Sequence, residues 1–392
     1  MLGLNVLREE FEQRFGANGD KSRIFFAPGR VNLIGEHTDF TGGYVLPAAL
    51  TYGTWAMVRR RSDRIVHLAS TSFSGIAEFT TDEVVYRQED GWANYPKGVL
   101  AEFKKLGLPL SGCDILFEGN IPKGAGLSSS ASIEMVTAIA VKCLEGLELT
   151  SVDLTRLAQR AENQFVGVNC GIMDQFASGM GKAGHAILLK CDTLAYRYVP
   201  LSLGEYQLVI TNSNKQRSLT ESNYNQRRLE CEEGIRVLQN YLLDFTCLGN
   251  VTVEQWRSVQ GKVKTPEVRK RLEHIIREND RTLVSTKALE AGNLQAFGDF
   301  MTQSHESLRD FYEVTGKELD ALFEEARQVS GCIGTRMTGA GFGGCTVSLV
   351  HQEAIDDFKT QVSKRYEGRT GLIPEFYICD CGDGARNYRG GR

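Results

Sequence analysis

The sequence predicts an α+β protein of two closely packed domains, and three observations support that prediction. The chain has 392 residues, and globular domains most often hold about 100–150 residues, so two domains are expected. Strand-like and helical patterns mix along the chain without strict β-α-β alternation, which favours α+β over a doubly wound sheet. No repeat, low-complexity tract or Pro/Ser-rich linker interrupts the chain. We therefore expect domains of residues 1–185 and 186–392 that pack directly on each other.

Composition and charge exclude several classes of function. Hydrophobic residues make up 42% and charged residues 24% of the chain, and the net charge is −4. These values are ordinary for a soluble protein and leave no basic footprint for nucleic acid or an anionic membrane. The ten cysteines include no CxxC pair, which is typical of reduced thiols. No apolar run reaches membrane-spanning length, and the first helical segment carries charge where a signal peptide needs an apolar centre. A cytoplasmic protein is expected.

The first half of the chain opens with an amphipathic helix and continues mainly as strands. Leu7 and Phe11 lie on the apolar face of that helix. Residues 23–35 predict a strand, a turn at Pro28-Gly29 and a second strand. Further strands are predicted at 52–61, 64–71, 76–84 and 113–122, and helices at 94–107, 132–147 and 151–167, the last capped by Ser151.

The second half begins with strands and becomes largely helical. Strands are predicted at 185–191, 206–214 and 375–380, and helices at 219–243, 265–278, 282–309 and 352–366. We also expect that the last strand can return to the first domain.

A polar turn follows the first strand-like region. Arg30, Glu36, His37, Thr38 and Asp39 fall within ten positions, between two apolar runs. Two carboxylates and an imidazole suit a neutral polyol, because each carboxylate accepts charge-assisted hydrogen bonds from hydroxyl groups. The alternative is an exposed acidic turn, which the flanking apolar strands disfavour.

The segment "PKGAGLSSSAS", residues 122–132, joins a strand to a strong helix. Glycines let a backbone approach a ligand closely, and the free N–H groups at a helix start attract anions. This arrangement can cradle the phosphates of a nucleotide, and a serine hydroxyl can reach Mg²⁺. The alternative is a helix cap with redundant serines, but one serine is enough for capping.

A second glycine-rich segment, "GAGFGG" at residues 339–344, matches the spacing G-x-G-x-x-G. A dinucleotide fingerprint must open a helix, whereas here the strand-like "CTVSLV" follows, so we reject that interpretation. A tight loop against the first glycine loop is expected, with a plain hairpin as the alternative. The chain has no Walker A motif and no protein-kinase signature.

Taken together, three segments resemble one enzyme family. "GRVNLIGEHTDF" is similar to the galactokinase signature, and "PKGAGLSSSAS" and "MTGAGFGGC" resemble motifs shared by galacto-, homoserine, mevalonate and phosphomevalonate kinases. Residues 169–176 and 212–228 also resemble galactokinase segments. Phe40 stands where tyrosine is usual, and we expect little consequence because the aromatic ring is kept. Ser130-Ala131 is present, whereas related fungal galactose sensors without kinase activity lack such a dipeptide, so its presence favours a working kinase.

The resemblance implies a fold, a reaction and a set of residues. The fold is an N-terminal mixed-sheet domain of the ribosomal protein S5 domain 2-like type and a C-terminal ferredoxin-like α/β sandwich, with the active site in the cleft between them. The reaction is ATP-dependent phosphorylation of the C1 hydroxyl of α-D-galactose, with Mg²⁺ as cofactor. Asp174 matches the proposed base and Arg30 the cation beside it. The sugar residues are Glu36, His37, Thr38, Asp39, Gly171 and Tyr224. The ATP residues are Ser70, Gly124, Ala125, Gly126, Leu127, Ser128, Ser129 and Ser130, and the metal residues are Ser130 and Glu162.

Several alternatives stay open at this stage. An N-acetylgalactosamine kinase would carry the same motifs, and a non-catalytic sensor of galactose and ATP would keep much of the pocket. Asp174 either takes the proton of the hydroxyl or mainly orients it, and without the resemblance it reads equally well as a helix cap. We expect a monomer without an obligate protein partner. Binding order and tolerance for sugars altered at C2 or C6 stay open.

Overall fold

A computed structural model of the chain describes residues 4–17, 22–122, 124–216, 220–242 and 244–388. The strands are β1 (Arg23–Asn32), β2 (Tyr44–Val45), β3 (Pro47–Arg60), β4 (Ile65–Ser70), β5 (Ile76–Thr80), β6 (Cys113–Gly119), β7 (His185–Lys190), β8 (Ala195–Pro200), β9 (Tyr206–Asn212), β10 (Cys332–Thr338), β11 (Cys345–His351), β12 (Glu375–Cys379) and β13 (Arg386–Asn387). The helices are α1 (Leu4–Phe15), α2 (Asn94–Lys105), α3 (Ser129–Glu145), α4 (Ser151–Arg160), α5 (Met173–Met180), α6 (Thr220–Leu238), α7 (Val253–Val259), α8 (Pro266–Glu290), α9 (Leu294–Ser307), α10 (Gly316–Arg327) and α11 (Ile355–Thr370).

The first sheet has the strand order β13-β1-β3-β6-β4-β5. It is mixed, because β4 and β6 run parallel while the other neighbours are antiparallel. Alternate side chains of β1 enter two cores: Phe25 packs with α2, α3 and α4, and Phe26 packs with Leu7 and Phe11 of α1. This alternation is the two-residue period of a strand buried on both faces.

The predicted turn at Pro28-Gly29 is wrong, because β1 runs unbroken through both residues. The register against β3 shifts between Pro28, which faces Gly53, and Arg30, which faces Ala49, so the extra residues lie on β3. A side chain at Gly29 would place its Cβ 2.4 Å from the Leu127 carbonyl oxygen. The glycine therefore lets the loop before α3 approach the strand closely.

The second sheet is antiparallel, with the order β10-β11-β9-β12. One face packs on α10 and α11. The other face joins a core that includes Val31 and Ile34 of the first half together with Ile210 and Val347. The two halves of the chain thus share buried apolar surface, as expected for domains that pack closely.

A third sheet, of order β2-β7-β8, pairs strands from both sides of residue 185. The final segment also crosses that position, because β13 pairs with β1 while β12 stays in the second sheet. The domain division at residue 185 stays a prediction.

Several element boundaries differ from the sequence prediction. Thr150, not Ser151, caps α4, because the capping box requires the three-residue spacing of Thr150 and Asp153. Helix α8 continues through the predicted break at 279–281. The predicted helix 219–243 corresponds to α6, and its two end residues lie outside the described ranges. The sequence analysis missed the short elements β2, β8, α7 and β13, and it also missed the seven-residue strand β10 and the twelve-residue helix α10.

Among the described residues, no helix combines the length and the apolar character that crossing a membrane requires. All ten cysteines are free thiols.

Candidate active site

A cavity of about 370 Å³ lies where the two halves of the chain meet. Its wall is formed by the end of β1, the polar turn that follows it, the loop before α3, the start of α5, and parts of α6 and the β10–β11 loop. The lining residues used below are Arg30, Glu36, His37, Asp39, Gly124, Gly126, Ser128, Ser130, Glu162, Cys170, Gly171, Asp174, Tyr224, Gly339 and Ala340.

Arg30 and Asp174 meet in this cavity as a two-bond ion pair. Arg30 donates from Nε to Asp174 Oδ1 at 2.8 Å and from Nη2 to Oδ2 at 3.0 Å. Its third nitrogen, Nη1, donates to the Gly126 carbonyl at 2.9 Å. The Ser128 hydroxyl also donates to Asp174 Oδ2. The carboxylate is therefore fixed in orientation, and its side chain keeps 25% exposure toward the cavity.

The glycine loop before α3 presents the start of that helix to the cavity. Ser128 is the N-cap residue and adopts a left-handed conformation with φ 60°, which is rare for a residue other than glycine. Ala125 and Leu127 point into the shared core, so the loop is anchored from behind. The N–H groups of the first turn of α3 and the hydroxyls of Ser129 and Ser130 complete an anion-binding geometry.

The polar turn places Glu36 and His37 in the cavity wall with bonding capacity unused. Both residues are buried, at 2% and 4% exposure. Glu36 Oε2 and His37 Nε2 have no hydrogen-bond partner among the described residues. Burial lowers the pKa of His37 to about 3, so its ring is neutral at physiological pH. A buried polar atom without a hydrogen-bond partner is costly. His37 Nε2 is such an atom, whereas Glu36 Oε2 has the Arg336 guanidinium 2.8 Å away as an ion-pair partner.

Asp39 is half-buried next to Gly171, which leaves room for its carboxylate. A Cβ on Gly171 would lie 2.0 Å from Asp39 Oδ2, so only glycine fits there. Burial first, and then the nearby Asp174 carboxylate, raise the pKa of Asp39 to about 7.

Of three further predicted site residues, Tyr224 lines the cavity, whereas Thr38 and Ser70 do not. Tyr224 of α6 lines the cavity, and its ring centroid is 5.6 Å from that of His37. Thr38 is buried, and its hydroxyl lies 2.9 Å from the Gly35 carbonyl and 2.7 Å from the Tyr44 carbonyl. Thr38 thus braces the turn and does not line the cavity. Ser70 is buried at the end of β4, also outside the lining.

Glu162 lies in a π-helical turn, Ala161–Val166, that follows α4. The Ser130 hydroxyl donates to its carboxylate, so the structure brings the two predicted metal residues together. Gln175 Nε2 donates to Glu162 Oε2 at 2.6 Å and to the buried Glu134 at 3.1 Å. Burial, together with the Asp174 charge, raises the pKa of Glu162 to about 7.

The β10–β11 loop lies against the first glycine loop, as the sequence predicted. The Gly339 N–H donates to Glu36 Oε1 at 3.0 Å. A Cβ on Gly339 would lie 3.0 Å from the Gly126 carbonyl oxygen. The second glycine segment therefore joins the polar turn to the glycine loop before α3.

Sequence reasoning missed the residues that support these groups. Glu134 and Gln175 lie beneath Glu162, and Arg336 lies beneath Glu36. Gln175 directly follows Asp174, and Arg336 stands three residues before Gly339. Proximity to a recognised motif was the one signal available for both.

Comparison with known proteins first defines the class. Residues 94–182 match the family model "GHMP kinases N terminal domain", and residues 285–368 match "GHMP kinases C terminal". A solved mevalonate kinase aligns with a TM-score of 0.65 at 19% identity, over 92% of this chain and 99% of its own, which supports the fold alone. The fold and the cavity are those of a GHMP kinase, an ATP-using enzyme.

The particular family follows from closer matches. Residues 9–60 match "Galactokinase galactose-binding signature". A galactokinase of Halalkalibacterium halodurans is 51% identical over 94% of this chain and 93% of its own, and one of Bacillus subtilis is 48% identical over 98% and 100%. The crystal structure of Lactococcus lactis galactokinase complexed with galactose aligns with a TM-score of 0.96 at 42% identity, over 98% of this chain and 100% of that one. The chain belongs to the galactokinase family.

Proposed function

We propose that the chain transfers the γ-phosphoryl group of ATP to the C1 hydroxyl of α-D-galactose. One observation carries this proposal: in the wall of a cavity that also holds the glycine loop before α3, His37 Nε2 is buried without a hydrogen-bond partner, and Glu36 Oε2, which forms an ion pair with Arg336, accepts no hydrogen bond. Sugar hydroxyls supply the missing donors and acceptors, and the loop supplies the anion site. Family membership supports the same reaction.

In this proposal the polar turn selects the sugar. Glu36 and Asp39 accept hydrogen bonds from hydroxyl groups, and the neutral His37 ring contributes its free nitrogen. Gly171 keeps space for the Asp39 carboxylate, and Tyr224 closes the pocket from α6. Thr38 acts indirectly, because its hydroxyl braces the turn that carries the other three.

Asp174 and Arg30 act on the reacting hydroxyl. Asp174 Oδ2 already receives Arg30 Nη2 and Ser128 Oγ, whereas Oδ1 receives only Arg30 Nε. A carboxylate oxygen has two acceptor sites, so Oδ1 is the atom free to accept the sugar hydroxyl proton. Arg30 places positive charge beside the transferring phosphoryl group, where charge neutralisation lowers the barrier.

The residues near Glu162 fit a Mg²⁺ ion. The Glu134 and Asp174 carboxyl groups lie near Glu162, and Glu134 Oε1 is buried without a hydrogen-bond partner. Proteins bind Mg²⁺ through one or two oxygens while phosphate and water supply the others. Ser130 and Glu162 would hold the ion, and the ion would neutralise phosphate charge.

A coupled ADP-release assay over a panel of hexoses tests the proposal. Galactose and glucose differ only in the configuration of the 4-hydroxyl. A buried acceptor left unpaired costs about 1–3 kcal/mol, so kcat/KM should favour galactose by roughly 5- to 150-fold. Equal values for the two sugars would contradict the proposal. Galactose binding without ADP release would indicate a sensor, and a preference for N-acetylgalactosamine would indicate the related kinase.

The proposal also covers location, assembly and domain organisation. The chain acts in the cytoplasm as a monomer without an obligate protein partner, and the ten free thiols are compatible with a reducing compartment. The domains divide near residue 185, with the glycine loop on the nucleotide side of the cleft. Ser70, which is buried outside the cavity lining, would act on the nucleotide only indirectly.

A further inference from the structure

A buried charged network lies directly behind the polar turn, on the side away from the cavity. Glu278 of α8 is fully buried. Its Oε1 accepts hydrogen bonds from the Gly35 N–H at 3.0 Å and the Glu36 N–H at 3.4 Å. The Ser304 hydroxyl donates to the same oxygen. One carboxylate of the second half therefore holds the backbone of the turn at the residue that lines the cavity.

Arg336 of β10 holds the side chain of the same residue. It is fully buried, and its Nη2 lies 2.8 Å from Glu36 Oε2. This contact is an ion pair without hydrogen-bond alignment, since both atoms lack a hydrogen-bond partner. Arg336 is anchored by donation from Nη1 to the Asn32 carbonyl at 2.8 Å and from Nε to Ser304 Oγ at 3.2 Å. The guanidinium thus orients the Glu36 carboxylate and leaves an acceptor site open.

The network consists of buried charged side chains at positions where apolar side chains would stabilise the fold equally well. Replacing a buried ion pair by apolar residues is often neutral or stabilising, so burial of these charges is weak evidence for a stabilising role. Ser304 touches both Glu278 and Arg336, which links the backbone anchor to the side-chain anchor. Both anchors converge on Glu36.

We propose that Glu278 and Arg336 are positioning residues of the galactose site, acting through the backbone and the carboxylate of Glu36. This inference rests on the proposed function. It assigns sugar affinity partly to α8 and β10, which carry no motif of the sugar turn and donate no group to the sugar. Loss of either residue should leave the Glu36 carboxylate less firmly positioned. The glycine loop before α3, which belongs to the first half of the chain, should keep its geometry.

The test compares the effect of each variant on galactose binding with its effect on the KM for ATP. In Arg336→Met and Glu278→Gln, we expect KM and Kd for galactose to rise about 10-fold or more, since each change removes a buried charge-assisted contact. KM for ATP should change less than about twofold. Arg336→Lys keeps the charge and should restore part of the affinity, which guards against a variant that fails to fold.

Asp114→Asn provides the matched control. Asp114 is also fully buried and paired with two arginines, Arg59 and Arg61, but it lies in β6, outside the cavity lining. Its replacement should lower the melting temperature and leave the galactose KM unchanged. The inference is wrong if Arg336→Met and Glu278→Gln raise the KM values for galactose and ATP equally. It is also wrong if, like Asp114→Asn, they lower the melting temperature and leave the galactose KM unchanged. In either case the network only stabilises the fold.

A double-mutant cycle with Glu36→Gln then tests whether Arg336 affects galactose binding through Glu36. If Arg336 acts through Glu36, Arg336→Met should weaken galactose binding less in the Glu36→Gln background than in the unaltered chain. Full additivity would contradict the inference. Absence of galactose phosphorylation in the unaltered chain would instead overturn the proposed function. The effects of the variants on the KM values for sugar and ATP would then be compared with the hexose that the panel identifies.

Discussion

At the scale of the residue, the Arg30–Asp174 pair carries the most specific expectation. Both carboxylate oxygens of Asp174 are engaged by Arg30, and Ser128 adds a third bond. Each side chain therefore sets the position and the charge environment of the other. Removing either one disturbs the partner as well as itself.

We predict that Asp174→Asn lowers kcat by about 10²–10⁴-fold with little change in galactose Kd, because the amide keeps the shape but cannot take a proton. Arg30→Ala should lower kcat and be partly rescued by added guanidinium. The double variant should lose less than the product of the two single losses, since the residues are coupled. Steady-state kinetics and calorimetry provide the measurements. Losses that multiply would show independent action.

Asp39 gives a prediction about stability and pH. Its pKa is raised to about 7 in the folded chain, against about 3.9 for an unperturbed aspartate. The folded state then binds a proton that the unfolded state releases, so this contribution to stability is complete below about pH 4 and is lost as pH rises through about 7. The Asp39→Asn variant should have a higher melting temperature than the unaltered chain at pH 8, and this difference in melting temperature should shrink toward pH 5.

Galactose affinity of the same variant should fall, since an amide oxygen replaces a charged acceptor. Thermal melts at several pH values, with the exposed Asp299→Asn as control, check the prediction. A variant that melts lower than the unaltered chain at pH 8 would be inconsistent with a costly buried charge at Asp39.

The motif residues were predictable from sequence, and their supports were not. Glu36, His37 and Asp39 stand together in one segment, so local chemistry marks them. Glu278 and Arg336 reach Glu36 from α8 and β10, far along the chain, and each reads locally as an ordinary charged residue. Only the tertiary fold shows that they share a partner.

At the scale of the element, the glycine loop and α3 form one unit. Ala131 is fully buried, and Ser130 bonds Glu162, so the first turn of α3 faces the core and the cavity at once. The break predicted at Pro28-Gly29 is wrong because both residues continue β1, where Gly29 allows a close approach to Leu127. Both residues are typical of turns, and sequence alone does not show the neighbouring loop.

We predict that deleting Ser130-Ala131 abolishes turnover while galactose binding survives, because the sugar contacts come from other segments. The milder Ser130→Ala should raise the Mg²⁺ concentration needed for half-maximal activity and leave galactose Kd unchanged. Calorimetry on variants with an intact circular dichroism spectrum separates the two effects. Lost galactose binding in a folded variant would contradict the assignment of this loop.

At the scale of the whole molecule, the shared core decides how the domains behave. Val31 and Ile34 of the first half pack with Ile210 and Val347 of the second. The absence of a linker-like segment predicted this close packing. The sequence did not predict that β7 would pair with β2 across residue 185, because strand pairing over such separations leaves no local pattern. It allowed for a last strand that returns to the first domain, but the strand that returns is β13 and not the predicted strand 375–380.

We predict a single cooperative thermal transition, since neither half can unfold without exposing the common core. Galactose at 100 times its Kd should stabilise the folded state by about 2.7 kcal/mol and shift that one transition as a whole. Differential scanning calorimetry provides the measurement. Two resolved transitions, of which galactose moves only one, would show that the halves unfold independently.

The pairing of β13 with β1 also sets an order of assembly during synthesis. β1 carries Arg30 and lies next to β13 at one edge of the first sheet. Until residues 386–387 emerge, that edge presents unpaired backbone groups, and open edges invite pairing with other chains. The nascent protein therefore leaves the backbone of Phe25 and Phe26 in β1 open to pairing with other chains until β13 is made.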